Sequence, residues 1–135
     1  MTQQLEVVTI ITQDGDRQLM TMKQEALVTE KNGSLFIRYK EEKTDVPVLI
    51  KWNKDNTVQL TRRSEPVNKM LFVLDEEVEY LYQTQAGVMP LATHTEHISP
   101  RFNAKEELEH LEWAYKIKNG EEILGDYQVK LHFLH

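Results

Sequence analysis

Apolar and polar residues alternate along most of this chain, and turn signals interrupt the alternation at short intervals. Successive side chains of a strand leave opposite faces, so period-two alternation predicts strands buried on one side. Leu5, Val7, Thr9 and Ile11 share one such face. Leu35, Ile37 and Tyr39 share another, opposed by Arg38 and Lys40. Val46, Val48, Ile50 and Trp52 are in phase, then Val58, Leu60 and Arg62, then Met70, Phe72 and Leu74. Val78, Tyr80 and Tyr82 precede Met89, Leu91, Thr93, Thr95 and His97. Leu111, Trp113, Tyr115 and Ile117 come next, and Tyr127, Val129, Leu131 and Phe133 close the series. The run from Gln18 to Lys31 is mixed, and its inward face stays open.

The separators are turn chemistry. "QDGD" (13–16) and "KNGS" (31–34) carry Asp-Gly and Asn-Gly, which suit the positive φ of tight hairpin turns. "EEKTD" (41–45), "NKDN" (53–56), "RSEP" (63–66), "LDEE" (74–77), "TQAG" (84–87), "SPRFN" (99–103) and "KNGE" (118–121) follow. About ten strands result. A meander of this kind avoids exposed edges by closing on itself. The expectation is one all-β domain over residues 1–135, a single antiparallel meander β-barrel of eight to ten strands, with a sandwich as the competitor. Pro47 and Pro90 point to strand starts, bulges or edges, and Gly125 to a bulge or bend. Asn103 with Glu106 three residues later resembles a capping box, so at most one short helical turn is expected before "LEWAYKIK" resumes the alternation.

Composition changes this picture little. With 40% hydrophobic and 28% charged residues, the chain can fill one core. No run approaches the roughly 20 apolar residues of a membrane span, and no secretory signal is visible at the N-terminus. There is no cysteine, which fits a cytoplasmic protein and excludes thiolate chemistry. A net charge of −6 with scattered basic residues argues against nucleic acid and anionic membranes as partners.

"THTEH" (93–97) suggests a metal site, because two histidines flank a glutamate. Strand parity speaks against it. Residues three apart leave opposite faces, so His94 and His97 should diverge. His94 and Glu96 then form an exposed ion pair, while His97 continues the inward face toward a rim. No metal and no cofactor are expected. Arg62, in phase with Val58 and Leu60, points inward near a barrel mouth, either to hold an anionic group or to pair with an internal glutamate. Arg63 has the opposite phase. Tyr39, Trp52, Tyr82, Trp113 and Tyr115 either line a ligand cavity or simply fill the barrel. No nucleophile elbow, P-loop or dinucleotide fingerprint is present, so no enzymatic activity is expected.

The ordered series "GSLFIRYKEE", "LIKW", "VQLTRRSEPV", "LYQTQAG" and "MPLATHT" resembles the YwiB-like family of small bacterial proteins. The resemblance implies a calycin- or lipocalin-like barrel of unknown function. Tyr39 and Glu41 match its Tyr-x-Glu, Arg62 or Arg63 its strand-end arginine, and Tyr82, Thr84 and Gly87 its Tyr-x-Thr-x-x-Gly hairpin. Thr93 and Thr95 match the threonines of the next strand. Ala26 and Glu65 stand where glycines are expected. The sequence therefore points to a barrel that binds a small, partly apolar ligand through Tyr39, Arg62, Tyr82, Thr93, Thr95, His97, Trp113 and Tyr115. The alternative is a side-chain-filled barrel that acts through protein interaction or as a homodimer.

Overall fold

The computed structural model describes residues 2–134, and these form ten strands with no helix. They are β1 (Thr2–Gln13), β2 (Asp16–Lys31), β3 (Ser34–Lys40), β4 (Pro47–Trp52) and β5 (Val58–Arg62). β6 (Asn68–Phe72), β7 (Glu77–Thr84), β8 (Gly87–Phe102), β9 (Leu108–Asn119) and β10 (Glu122–Leu134) follow. All ladders are antiparallel, in the order β6-β5-β4-β3-β2-β1-β10-β9-β8-β7. Pairing of the first strand with the last, with Leu5 opposite Phe133 and Val7 opposite Leu131, joins the two halves.

The two outer strands of this sheet meet in a nearly closed barrel. No regular ladder joins β6 to β7. Side-chain bonds and one backbone bond bridge the seam instead. Asn68 Nδ2 donates to the Gln83 carbonyl at 3.3 Å, and its Oδ1 accepts from the Gln83 amide at 3.0 Å. The Thr93 hydroxyl donates to the Leu71 carbonyl at 2.9 Å, and the Asp75 amide to the Thr95 carbonyl at 2.8 Å. Inside, Leu5, Ile37, Ile50, Val58, Phe72, Leu111, Trp113, Leu131 and Phe133 are buried, all on positions that the alternation placed inward.

The turns explain the strand limits. Asp14 and Gly15, then Asn32 and Gly33, take positive φ at both central positions, which matches the twist of the flanking strands. Pro47 begins β4, and Pro90 lies where β8 pairs with β7 alone. "SPRF" does not break the chain: β8 continues to Phe102. The turn comes after it, and the expected helical turn does not form. Asn103 Oδ1 accepts from the Lys105 and Glu107 amides, as a cap would. Glu106 then takes φ of 61°, which turns the chain back into β9.

Three features of the wall matter below. β2 pairs with β3 only over Leu27–Lys31, so its half from Asp16 to Ala26 has a neighbour on the β1 side alone. The far end is plugged by the β4–β5 turn. There Trp52 Nε1 donates to Asn56 Oδ1 at 3.0 Å, Asn56 donates to the Ile98 carbonyl, and Phe102 meets the Trp52 ring edge-on. Finally, β8–β9 and β9–β10 each slip register at bulges. The slip between Ile123 and Gly125 is the one that Gly125 announced.

Candidate functional site

A chamber of about 570 Å³ lies inside the barrel, in the range of small-molecule sites. Its walls are Val7 and Thr9 of β1, Val48 and Ile50 of β4, Leu60 of β5, Phe72 of β6, Trp113 and Tyr115 of β9, and Val129 of β10. Met20 and Met22 of β2 close one side, and Glu41, Lys43 and Thr44 of the β3–β4 loop close another. The mouth lies between these last two segments, where β2 has parted from β3. Met20, half exposed, stands in it.

The polar groups are few and placed. Arg62 donates from Nε to Glu41 Oε2 at 3.1 Å and from a terminal nitrogen to Oε1 at 2.7 Å, a two-pronged bond. The Thr44 hydroxyl donates to the same Oε1 at 2.6 Å. These bonds, the arginine's first, hold the Glu41 carboxyl below its usual range. Tyr39 stands beside them. Burial, aided by the Glu41 charge, pushes its phenol well up, so it stays protonated and able to donate. Deeper in, Trp113 is 1% exposed and its Nε1 has no hydrogen-bond partner. Phe72 packs on Tyr115 at 4.4 Å and on Trp113 at 5.8 Å between ring centres, and Tyr127 stacks on Tyr115 at 5.2 Å. Burial also raises the Tyr115 phenol, and raises that of Tyr80 to about 12.

The chamber gathers Tyr39, Arg62, Trp113 and Tyr115 of the residues expected at a site. Arg62 takes the paired form of the two open readings, with Glu41 as its partner. Arg63 is exposed on the other face. Tyr82 does not enter. It sits 41% exposed on the β7–β8 hairpin, near enough to Arg62 to bias its charge. Trp52 belongs to the plug. Thr93 and Thr95 face inward and are fully buried, but in the wall beside the seam rather than in the chamber.

His97 corrects the parity rule. The β8–β9 register slips between Thr95 and His97, so Glu96 is an extra residue. A bulge resets the alternation. Thr95 and Ile98 point in, while Glu96 and His97 are exposed. His94 and His97 therefore share the outer face instead of diverging. Nor do His94 and Glu96 pair. Glu96 bonds Lys116 at 2.9 Å, and Lys116 also bonds Asp126 at 2.9 Å, a bridge across β8, β9 and β10.

Glu41 was visible as a motif residue without a role, yet it anchors the mouth. Its signal was present: two residues beyond Tyr39 it carries the charge that Arg62 needs. Met20 and Met22 lay in the run whose inward face the pattern left open.

Fold and site together define a class: a small antiparallel β-barrel with an apolar chamber, an ion pair at the mouth and buried tyrosine and tryptophan side chains in the wall. Residues 5–131 match the model described as a domain of unknown function (DUF1934), and the chain belongs to that family. It is similar to the crystal structure of the ywiB protein from Bacillus subtilis, with a TM-score of 0.75 at 19% identity, over 99% of this chain and 92% of that one. The family resemblance read from the sequence thus holds. No curated protein matches the chain.

Proposed function

We propose that this is a non-enzymatic, calycin-like binding barrel that holds one small, partly apolar molecule in its chamber. The observation that carries the proposal is the apolar-walled cavity of about 570 Å³ with Tyr39 and the Arg62–Glu41 pair as its polar groups. The apolar body of a ligand covers Val7, Leu60 and Val129. Tyr39 and the Arg62–Glu41 pair orient its polar end at the mouth. Among the described lining residues the one carboxylate, Glu41, is already committed to Arg62, which supports binding over catalysis. The cysteine-free composition supports a cytoplasmic setting.

The test uses native mass spectrometry of the untagged chain and titration with 1-anilinonaphthalene-8-sulfonate. A non-covalent adduct of one small molecule, or 1:1 dye binding abolished by the chamber-filling Val129→Trp, is the expected result. Folded protein that carries no adduct and binds no dye would overturn the proposal. One observation favours a second reading: the free half of β2 exposes Leu19 at 65% beside Met20. Edge-to-edge pairing there gives a homodimer, which sedimentation would show and a strict monomer would exclude.

A further inference from the structure

The outer wall carries a second cluster, remote from the chamber in chemistry. His110 of β9 and His132 of β10 are register partners, and their rings stack at 4.3 Å with 9° between planes. Glu109 precedes His110, and neighbours on a regular strand leave opposite faces. Here the β8–β9 register slips, with Arg101 opposite His110 but Phe102 opposite Leu108. The bulge leaves Leu108 and Leu111 buried in the core and turns Glu109 to the side of His110. One donor atom from each of Glu109, His110 and His132 lies within 4.8 Å of the other two, and all three residues are half-buried.

We propose that Glu109, His110 and His132 form a site for a divalent transition-metal ion of the zinc class. Two imidazoles and a carboxylate, without thiolate, suit zinc, nickel or copper rather than calcium. Zinc bonds of about 2.0–2.1 Å bring donors to roughly 3.3 Å from one another in a tetrahedron. Each imidazole binds through a lone pair in its own ring plane, so the two rings must leave their stack and tilt until both planes meet at the ion. Three protein ligands leave a fourth position for water. Arg101 and Glu112 flank the cluster with opposite charges, so neither sign prevails beside it. The ion would brace the β9–β10 ladder through His110 and His132, and pin the bulge through Glu109. His94, Glu96 and His97 also share the outer face, but Glu96 is held by Lys116.

The experiment is calorimetric titration of the metal-stripped, untagged full chain with zinc chloride. One zinc per chain is expected, with a rise in melting temperature, because the folded state binds the ion. His110→Ala and His132→Ala should each weaken binding by more than the roughly tenfold that an outer-shell partner contributes. Glu109→Gln should weaken it less. His94→Ala with His97→Ala should leave it unchanged. Absence of saturable binding at millimolar zinc, or binding that persists in the His110→Ala/His132→Ala double variant, would overturn the site. Imidazole NMR of the unaltered chain guards against misfolded variants: zinc should shift His110 and His132, and shifts confined to His94 and His97 would also overturn it.

Discussion

Two buried threonines two residues apart have opposite energetics. The Thr93 hydroxyl bonds the Leu71 carbonyl, whereas the Thr95 hydroxyl is buried with no partner. Valine has the same shape without the hydroxyl. Thr93→Val should lower stability by about 1 kcal/mol, through loss of one bond and an orphaned carbonyl. Thr95→Val should raise it by about 1 kcal/mol, through removal of an unpaired group. Urea denaturation of both variants checks the sign, and a loss in both would show that Thr95 has a partner. The Glu41 carboxyl has a definite pH signature. Its pKa is lowered from the ordinary 4.5, first by the Arg62 bond, so the folded state binds its proton less readily than the unfolded chain. The stabilisation is present above pH 4.5 and disappears as pH falls through the lowered value. Melting temperature followed from pH 6 downward should fall less steeply in Glu41→Gln than in the parent. The group is partly solvated, so the difference should be modest.

At the level of the elements, bulges decide what each strand shows to each side. Glu96 is the extra residue of β8. Its deletion should remove the bulge and leave a regular ladder, with Thr95 still opposite Tyr115, His97 opposite Ala114 and Ile98 opposite Trp113. Such a variant should keep a cooperative thermal transition, and its loss would refute the assignment. The bulge near Gly125 depends on the missing side chain. A Cβ there would stand 3.0 Å from Gln13 Cγ and 3.1 Å from the Tyr127 ring. Gly125→Ala should cost about 1–3 kcal/mol by overpacking. Gln13→Ala in the same chain should recover part of it, because one obstructing group is a flexible side chain. One bulge was legible in the sequence because glycine marks it. Those at Glu96 and Glu109 were not, since glutamate leaves no conformational signature.

Closure belongs to the whole molecule. The seam between β6 and the β7–β8 hairpin is held by a few side-chain bonds and one backbone bond rather than a ladder, so it should be the first part of the wall to open. Asn68→Ala removes both bonds to Gln83. Hydrogen exchange at the Gln83 amide should then accelerate, while Leu131 and Trp113, inside continuous ladders, keep their protection. Uniform acceleration would mean that the barrel opens as one unit. The gap between β2 and β3, by contrast, gives the chamber its mouth, and the exposed Leu19 and Met20 lie along it.

The sequence by itself determined about ten strands, most of their turns and nearly all of the inward face, because alternation and turn chemistry are local properties. It also placed Tyr39, Arg62, Trp113 and Tyr115 inward, since each is in phase with buried neighbours. Only the tertiary structure decided that Glu41 neutralises Arg62, that the Trp113 N–H is left without a partner, and that Tyr82 stands outside the chamber. These depend on which strands lie side by side and where β2 leaves β3. The histidines show the limit most plainly. Parity set His94 and His97 on opposite faces, and one unmarked bulge put them on the same face. Residues 110 and 132 are far apart in the chain, and became neighbours through the β9–β10 register, which no short stretch of sequence contains.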